Sequence, residues 1–216
     1  MTPRFNLDIK KIMLKSKKSL GQNFLKSEKI AQEIVEAGEV CSDDIVLEVG
    51  PGKGILTEEL LKKAKKVIAV EKDEQLAEFL KTKFVTEINS GKLEIICGDI
   101  LDKHQGESLM LPKEYKIIAN IPYYITSHFL RTFLEGDTQP SMMVLMVQKE
   151  VAERIVGVKE SLLSISVKAY GQPEIIRKVP ASYFSPAPKV DSAVLKISGI
   201  SKDFFKDTTE KKFFET

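Results

Sequence analysis

With 216 residues, 43% hydrophobic and 30% charged, the chain is long enough for one well-buried core and reads as globular, not disordered. No apolar run approaches the roughly 20 residues needed to span a bilayer, and the lysine-bearing N-terminus lacks the apolar stretch of a signal peptide, so neither a membrane protein nor a secreted one is expected. The net charge of +2 is small but uneven: residues 1–29 hold eight basic side chains against Asp8 and Glu28, and such an arm suits a polyanion or serves as a solubilising tail.

Residues 1–18 have little periodicity beyond Ile9, Ile12 and Met13 and read as a partly ordered basic arm carrying Lys15, Lys17 and Lys18. A loop with adjacent amides, Gln22 and Asn23, leads to Ser27, which caps a helix to about Gly38. The nearly continuous apolar run 44–49 predicts a parallel strand covered on both faces, entering Gly50-Pro51-Gly52-Lys53-Gly54. A helix over 55–65, a strand over 66–70 ending at Glu71, a helix over 73–84 and a strand over 93–97 ending at Gly98-Asp99 follow. Residues 100–115 read as a loop; a fourth strand then leads into Asn120-Ile121-Pro122-Tyr123, and a helix covers 127–134. A fifth strand spans 142–147, where Met142, Met143 and Met146 read as core filling. Helices over 149–156 and 162–170 precede two strands, 174–179 and 193–197. The loop joining them, rich in proline and aromatics, predicts an antiparallel pair at one edge of a doubly wound, mostly parallel sheet. Cys41 and Cys97 are expected to be reduced, buried core residues, and a cytoplasmic location follows. His104 and His128 stand too far apart in sequence for ligand spacing, so no metal is expected.

The chemistry gathers at the ends of four strands. Glycines 50, 52 and 54 let a ligand approach the backbone at a helix N-terminus. Glu71, 21 positions after Gly50, suits ribose hydroxyls, and Asp99 suits an adenine amine. Either acid alone would read as a helix cap or a solvated loop residue, and Asn120 to Tyr123 alone as a turn. In this order they describe an adenosine lying across the sheet edge. The glycine spacing departs from the dinucleotide fingerprint, because the third glycine comes one position early, and Lys53-Gly54 is no phosphate loop. S-adenosylmethionine, with an adenosine and no phosphate, fits better.

The chain resembles the rRNA adenine dimethyltransferase family, and within it the small-subunit dimethyladenosine transferases. The residues that carry the resemblance are Leu20 to Leu25, Leu47 to Gly54, Glu71, Gly98-Asp99, Asn120 to Tyr123 and Phe184 to Ser192, across about residues 17–197. It implies a class I S-adenosylmethionine-dependent methyltransferase fold with a seven-stranded sheet. It implies that Gln22, Asn23 and Leu25 close over S-adenosylmethionine, with Gly50 and Gly52 under the methionine part, Glu71 on the ribose and Asp99 on the adenine. Asn120 would bind the target amine, Pro122 would stiffen the turn, and Tyr123 and Phe184 would stack on the target base. Lys15, Lys17 and Lys18 would meet rRNA of a small-subunit precursor, and a monomer is expected. The domains expected are a basic arm (1–18), a catalytic domain (19–200) and, at 201–216, the start of the family's small C-terminal helical domain, its phenylalanines without partners. Tyr124 stands where many members have Asn.

Two other readings stand beside this one. A large-subunit rRNA adenine dimethyltransferase of the macrolide-resistance type shares Asn120 to Tyr123, although the 184–192 stretch looks more like the small-subunit group. A non-catalytic RNA-binding assembly factor could use the same fold, although an intact Asn-Ile-Pro-Tyr argues against lost catalysis.

Overall fold

The computed structural model describes residues 16–17, 20–102 and 111–205; Lys15, Lys18, His104, Phe213 and Phe214 lie outside the described residues. In chain order the elements are β1 (Phe24–Leu25), α1 (Glu28–Ala37), β2 (Ile45–Val49), α2 (Ile55–Lys63), β3 (Lys66–Glu71), α3 (Glu74–Lys83), α4 (Val85–Asn89), β4 (Leu93–Cys97) and β5 (Lys116–Asn120). A 3-10 turn at Tyr123–Ile125 leads into α5 (Thr126–Glu135). Then come β6 (Met142–Gln148), α6 (Lys149–Val156), α7 (Leu162–Tyr170), β7 (Gln172–Val179), β8 (Phe184–Ser185) and β9 (Ser192–Ser198). Among the described residues no helix is long and apolar enough to cross a membrane.

Seven strands form one sheet in the order β4-β3-β2-β5-β6-β9-β7. β4, β3, β2, β5 and β6 pair in parallel; β9 lies antiparallel to both β6 and β7. The antiparallel pair expected from 174–197 is therefore present, with β7 at the edge. The central strands are mostly apolar because each serves two cores. Val46, Val67, Ile118, Val144 and Met146 point to one face, with Ile30 and Ile34 of α1, Leu56 and Leu60 of α2 and Leu80 of α3. Their neighbours Leu47, Ile68, Ile117, Met143 and Leu145 point to the other, with Phe129 and Leu130 of α5, Ile155 of α6 and Tyr170 of α7. This period of two is the ordinary alternation of a strand, read as a continuous apolar run when both faces are covered.

The sequence order reverses between β2 and β5. From β2 the chain winds outward through β3 to β4, then returns to start again beside β2 with β5. At such a switch point the strand ends leave a crevice. The glycine loop after β2 opens it. Gly54, at φ +79°, starts α2 in the left-handed region, and a Cβ there would lie 2.7 Å from Phe84 and 2.9 Å from Leu80.

Two expectations are corrected. Cys41 and Cys97 are exposed, not buried: Cys41 sits in the turn before β2, and Cys97 ends β4, the outermost strand of the sheet. Phe205 is not without a partner. It is buried against Tyr170, ring centroids 5.0 Å apart. Two elements were not foreseen. α4 follows α3 with only Phe84 between them, and β1 pairs with β8 over two residues each, too short to carry a period.

Gly54→Ala would combine a left-handed backbone with a clash against Phe84, and is expected to destabilise the fold by roughly 2 kcal/mol. Urea unfolding of the two proteins measures it; an unchanged midpoint would show that α2 can start without a glycine.

Candidate active site

The crevice is an open cleft of about 1010 Å³, its solvent-facing mouth included. The ends of β2, β3, β4 and β5 form its floor, and residues 20–25 form one wall. The floor is set by a buried carboxylate. Glu71 Oε2 accepts the Gly52 N–H at 3.0 Å and Oε1 accepts the Asp73 N–H at 2.9 Å. One side chain thus ties the glycine loop to the turn that starts α3. Gly52 sits at φ +60°, where a side chain is strained, and a Cβ there would lie 3.0 Å from the Phe24 ring. Burial pushes the Glu71 carboxyl up, and the two N–H groups draw it partly back.

Asp99 sits beyond β4. Its Oδ1 accepts the Leu101 N–H at 3.0 Å, and its Oδ2 pairs with Lys72 Nζ at 2.7 Å. Burial raises this carboxyl, but Lys72 and the Leu101 N–H outweigh it and hold it below the usual range. Lys72 itself lines the cleft, and no pattern in the sequence marks it.

Asn120 ends β5. Its Nδ2 donates to the Asn23 carbonyl at 3.2 Å, across 97 positions of sequence. That bond assigns the amide: the nitrogen is committed to the wall, and Oδ1 is left as the acceptor. Pro122 follows at φ −59°, and the Tyr123 hydroxyl bonds Ser192 Oγ at 2.6 Å. Burial raises the Tyr123 phenol and the Ser192 bond offsets part of that. Tyr124, 62% exposed, lines the cleft beside them.

The wall is clasped at both ends. Leu25 pairs with Phe184 in the β1–β8 ladder, and the Lys26 N–H reaches the Tyr183 carbonyl at 2.9 Å. At the other end Lys17 Nζ reaches Asp73 Oδ1 at 2.8 Å, and Gln22 Nε2 reaches Asp73 Oδ2 at 3.1 Å. Two site expectations change here. The Phe184 ring is 2% exposed, buried among Leu25, Val179 and Val194, and does not line the cleft. The backbone of Phe184 must lie along Leu25 to make the ladder, and its ring turns inward. Lys17 is engaged by Asp73, so its charge is not idle on the surface. Gln22, Asn23, Leu25, Gly50, Gly52, Glu71, Asp99, Asn120, Pro122 and Tyr123 all line the one cleft. The described residues hold no group of three or more His, Cys, Asp or Glu side chains placed for a metal ion.

The model of the ribosomal RNA adenine dimethylase family matches residues 13–216. The chain belongs to that family. It is 42% identical over 99% of its length to the ribosomal RNA small subunit methyltransferase A of Dehalococcoides mccartyi, and 39% identical over 96% to that of Clostridium perfringens. It spans 75% and 73% of those two proteins. Among solved structures it is similar to a dimethyladenosine transferase from Plasmodium falciparum, with a TM-score of 0.74 at 33% identity, over 88% of this chain and 66% of that one. It is also similar to the 23S rRNA methyltransferase ErmE, with a TM-score of 0.72 at 32% identity, over 82% and 69%. The fold is that of the S-adenosylmethionine-dependent methyltransferases, with a seven-stranded, mostly parallel sheet and helices on both faces.

The cleft has the donor set that S-adenosylmethionine asks for. Glycine backbone opens at the end of β2, and carboxylates at 71 and 99 can accept from hydroxyls and an amine.

Glu48 was absent from the sequence reading, since it sits in the apolar run of β2. It is 1% exposed, and among the described residues its Oε2 and Thr57 Oγ1 have no hydrogen-bond partner. Burial pushes its carboxyl up to about 8, with Thr57 and Lys83 offsetting only part of the effect. An unfolded glutamate loses its proton near 4.5, so between about 4.5 and 8 the native state binds more protons than the unfolded state. Native stability therefore falls as pH rises through that window. Glu48→Gln removes the dependence. Its unfolding midpoint in urea, relative to the parent protein, is expected to climb from about pH 5 to pH 8 and then level off. A gap constant with pH would show that Glu48 is already charged in the folded protein.

Proposed function

We propose that this chain methylates the exocyclic amine of adenines in small-subunit rRNA twice, with S-adenosylmethionine as donor, as a step in ribosome maturation. The observation that carries the reading is the Asn120 amide, oriented by the Asn23 carbonyl at the edge of a cleft built for an adenosine. Gln22, Asn23, Leu25, Gly50, Gly52, Glu71, Asp99 and Asn120 would hold the donor, which when bound supplies an electrophilic methyl group on a sulfonium.

The protein's part is placement. An adenine amine is a poor nucleophile because its lone pair is delocalised into the ring. Asn120 Oδ1 and the Ile121 carbonyl accept its two hydrogens, which favours a pyramidal nitrogen with its lone pair free. Pro122 has no N–H to compete and restricts the backbone of Ile121, which presents the carbonyl. Alignment of this kind accounts for the rate without a strong base, because the amine turns acidic only as the new bond forms. The base must leave its stack to arrive, which costs a few kcal/mol and favours loop adenines. Tyr123, its hydroxyl tied to Ser192, offers a ring that offsets part of the cost. Phe184 supports the wall from behind instead of forming a second stacking face. Lys15 and Lys18 of the arm would meet phosphates.

The small-subunit assignment rests on residues 184–192 and on the relatives called small subunit methyltransferase A. The likeness to ErmE keeps a large-subunit target as the second reading. Purified small and large subunits, incubated with labelled donor, separate the two: dimethyladenosine is expected in the small subunit, and label in the large one alone would reverse the assignment.

Asn120→Ala should lower kcat by roughly 100-fold or more, since the amine loses its acceptor. Single-turnover methyl transfer measures it, and an unchanged rate would sink this mechanism. Replacing Lys15 and Lys18 by Met should weaken RNA binding and lower the slope of log K against log salt by about 1 to 2. A slope equal to that of the parent chain would make the arm only a tail.

A further inference from the structure

The N-terminal wall is held at its outer end by one carboxylate. Asp73 is 3% exposed and accepts three hydrogen bonds: Lys17 Nζ and the Gln75 N–H on Oδ1, at 2.8 and 3.1 Å, and Gln22 Nε2 on Oδ2 at 3.1 Å. The Lys17 N–H donates to Gln22 Oε1 at 2.7 Å, so Lys17, Gln22 and Asp73 close a ring of bonds. Asp73 also donates its own N–H to Glu71. As a helix cap, Asp73 needs only the bond to Gln75. The bonds to Lys17 and Gln22 serve no helix. They span 56 and 51 positions and pin residues 17–22 to the turn that presents Glu71. Opposition to burial is overcome by those donors, and the carboxyl is held below its usual range, so it stays charged and paired at neutral pH.

We propose that Asp73 is a positioning residue for the methyl-donor site: by anchoring Lys17 and Gln22 it keeps the 20–25 wall in place against the cleft, and Lys17 serves donor binding instead of RNA. This rests on the donor reading given above. The geometry explains the split of roles within one basic segment. A lysine whose ammonium faces a buried carboxylate gains little from a phosphate, because leaving would strand that charge. Its effect passes inward instead, through Gln22 to Asn23, whose carbonyl orients Asn120.

The test is titration of the full chain with S-adenosylhomocysteine, the demethylated donor, by calorimetry, beside steady-state kinetics on small subunits. The variants are Asp73→Ser, which keeps a capping side chain, Lys17→Met, and the two combined. Asp73→Ser, which releases both Lys17 and Gln22, is expected to raise the Kd for S-adenosylhomocysteine and the KM for the donor by roughly 10-fold, Lys17→Met by less, and the double change by no more than Asp73→Ser alone, since Lys17 acts through Asp73. The RNA salt slope should not move in Lys17→Met. A helix cap alone would give single variants that melt differently but bind as the parent does, which overturns the proposal. Additive effects, or a changed salt slope with unchanged Kd in Lys17→Met, would overturn it too. Should Asp73→Ser fail to fold, Lys17→Met carries the test, because that side chain is exposed. If the parent chain itself binds no S-adenosylhomocysteine, the donor reading fails, a result distinct from either outcome.

Discussion

The active site hangs on the carboxylate of Glu71. It accepts N–H groups from the glycine loop after β2 and from the turn before α3, and so fixes two neighbouring strand ends relative to each other. The same turn carries Asp73, to which the N-terminal wall is bound, and the wall carries Asn23, which orients Asn120 on β5. A path of hydrogen bonds therefore runs around the rim from β2 to β3, out to residues 17–25 and back to β5. Four segments distant in sequence are held in one arrangement by side chains, of which Glu71, Gln22 and Asn120 also line the cleft. Such a rim is costly to alter at one point, because each carboxylate or amide has more than one partner to lose.

The cleft's charge follows from the same economy. Buried carboxylates are tolerated where backbone N–H groups or lysines meet them, as at Glu71 and Asp73, and the half-buried Asp99 is met in the same way. At Glu48 the influence of Thr57 and Lys83 is too weak to offset burial, which drives it toward the neutral form. The floor is then acidic at its outer edge and neutral at its centre.

Much of this was legible in the sequence. The strands announced themselves as apolar runs ending in Gly50, Glu71, Asp99 and Asn120, because parallel strands buried on both faces have few other ways to be written. The antiparallel edge followed from two short runs with one intervening loop. What stayed hidden depended on contacts made at long range. The pairing of Phe24–Leu25 with Phe184–Ser185 involves two residues a side, so no period could betray it. It is also what turns the Phe184 ring inward, away from the role its motif suggested. Asp73 reads as an ordinary cap, and only the fold shows Lys17 and Gln22 arriving on it. Cys41 and Cys97 read as core because they neighbour apolar residues; a turn and an edge strand expose them.

The Asn120 bond to the Asn23 carbonyl has one more consequence. A carbonyl facing position 120 accepts no aspartate there: a carboxylate would set oxygen against oxygen at about 3 Å. The wall thus demands a neutral amide, the same group that the proposed amine site asks for. A lineage that abandoned methylation but kept this wall would still be constrained to an amide at that place. The wall behind Asn120 is therefore part of the reason that an amide stands there.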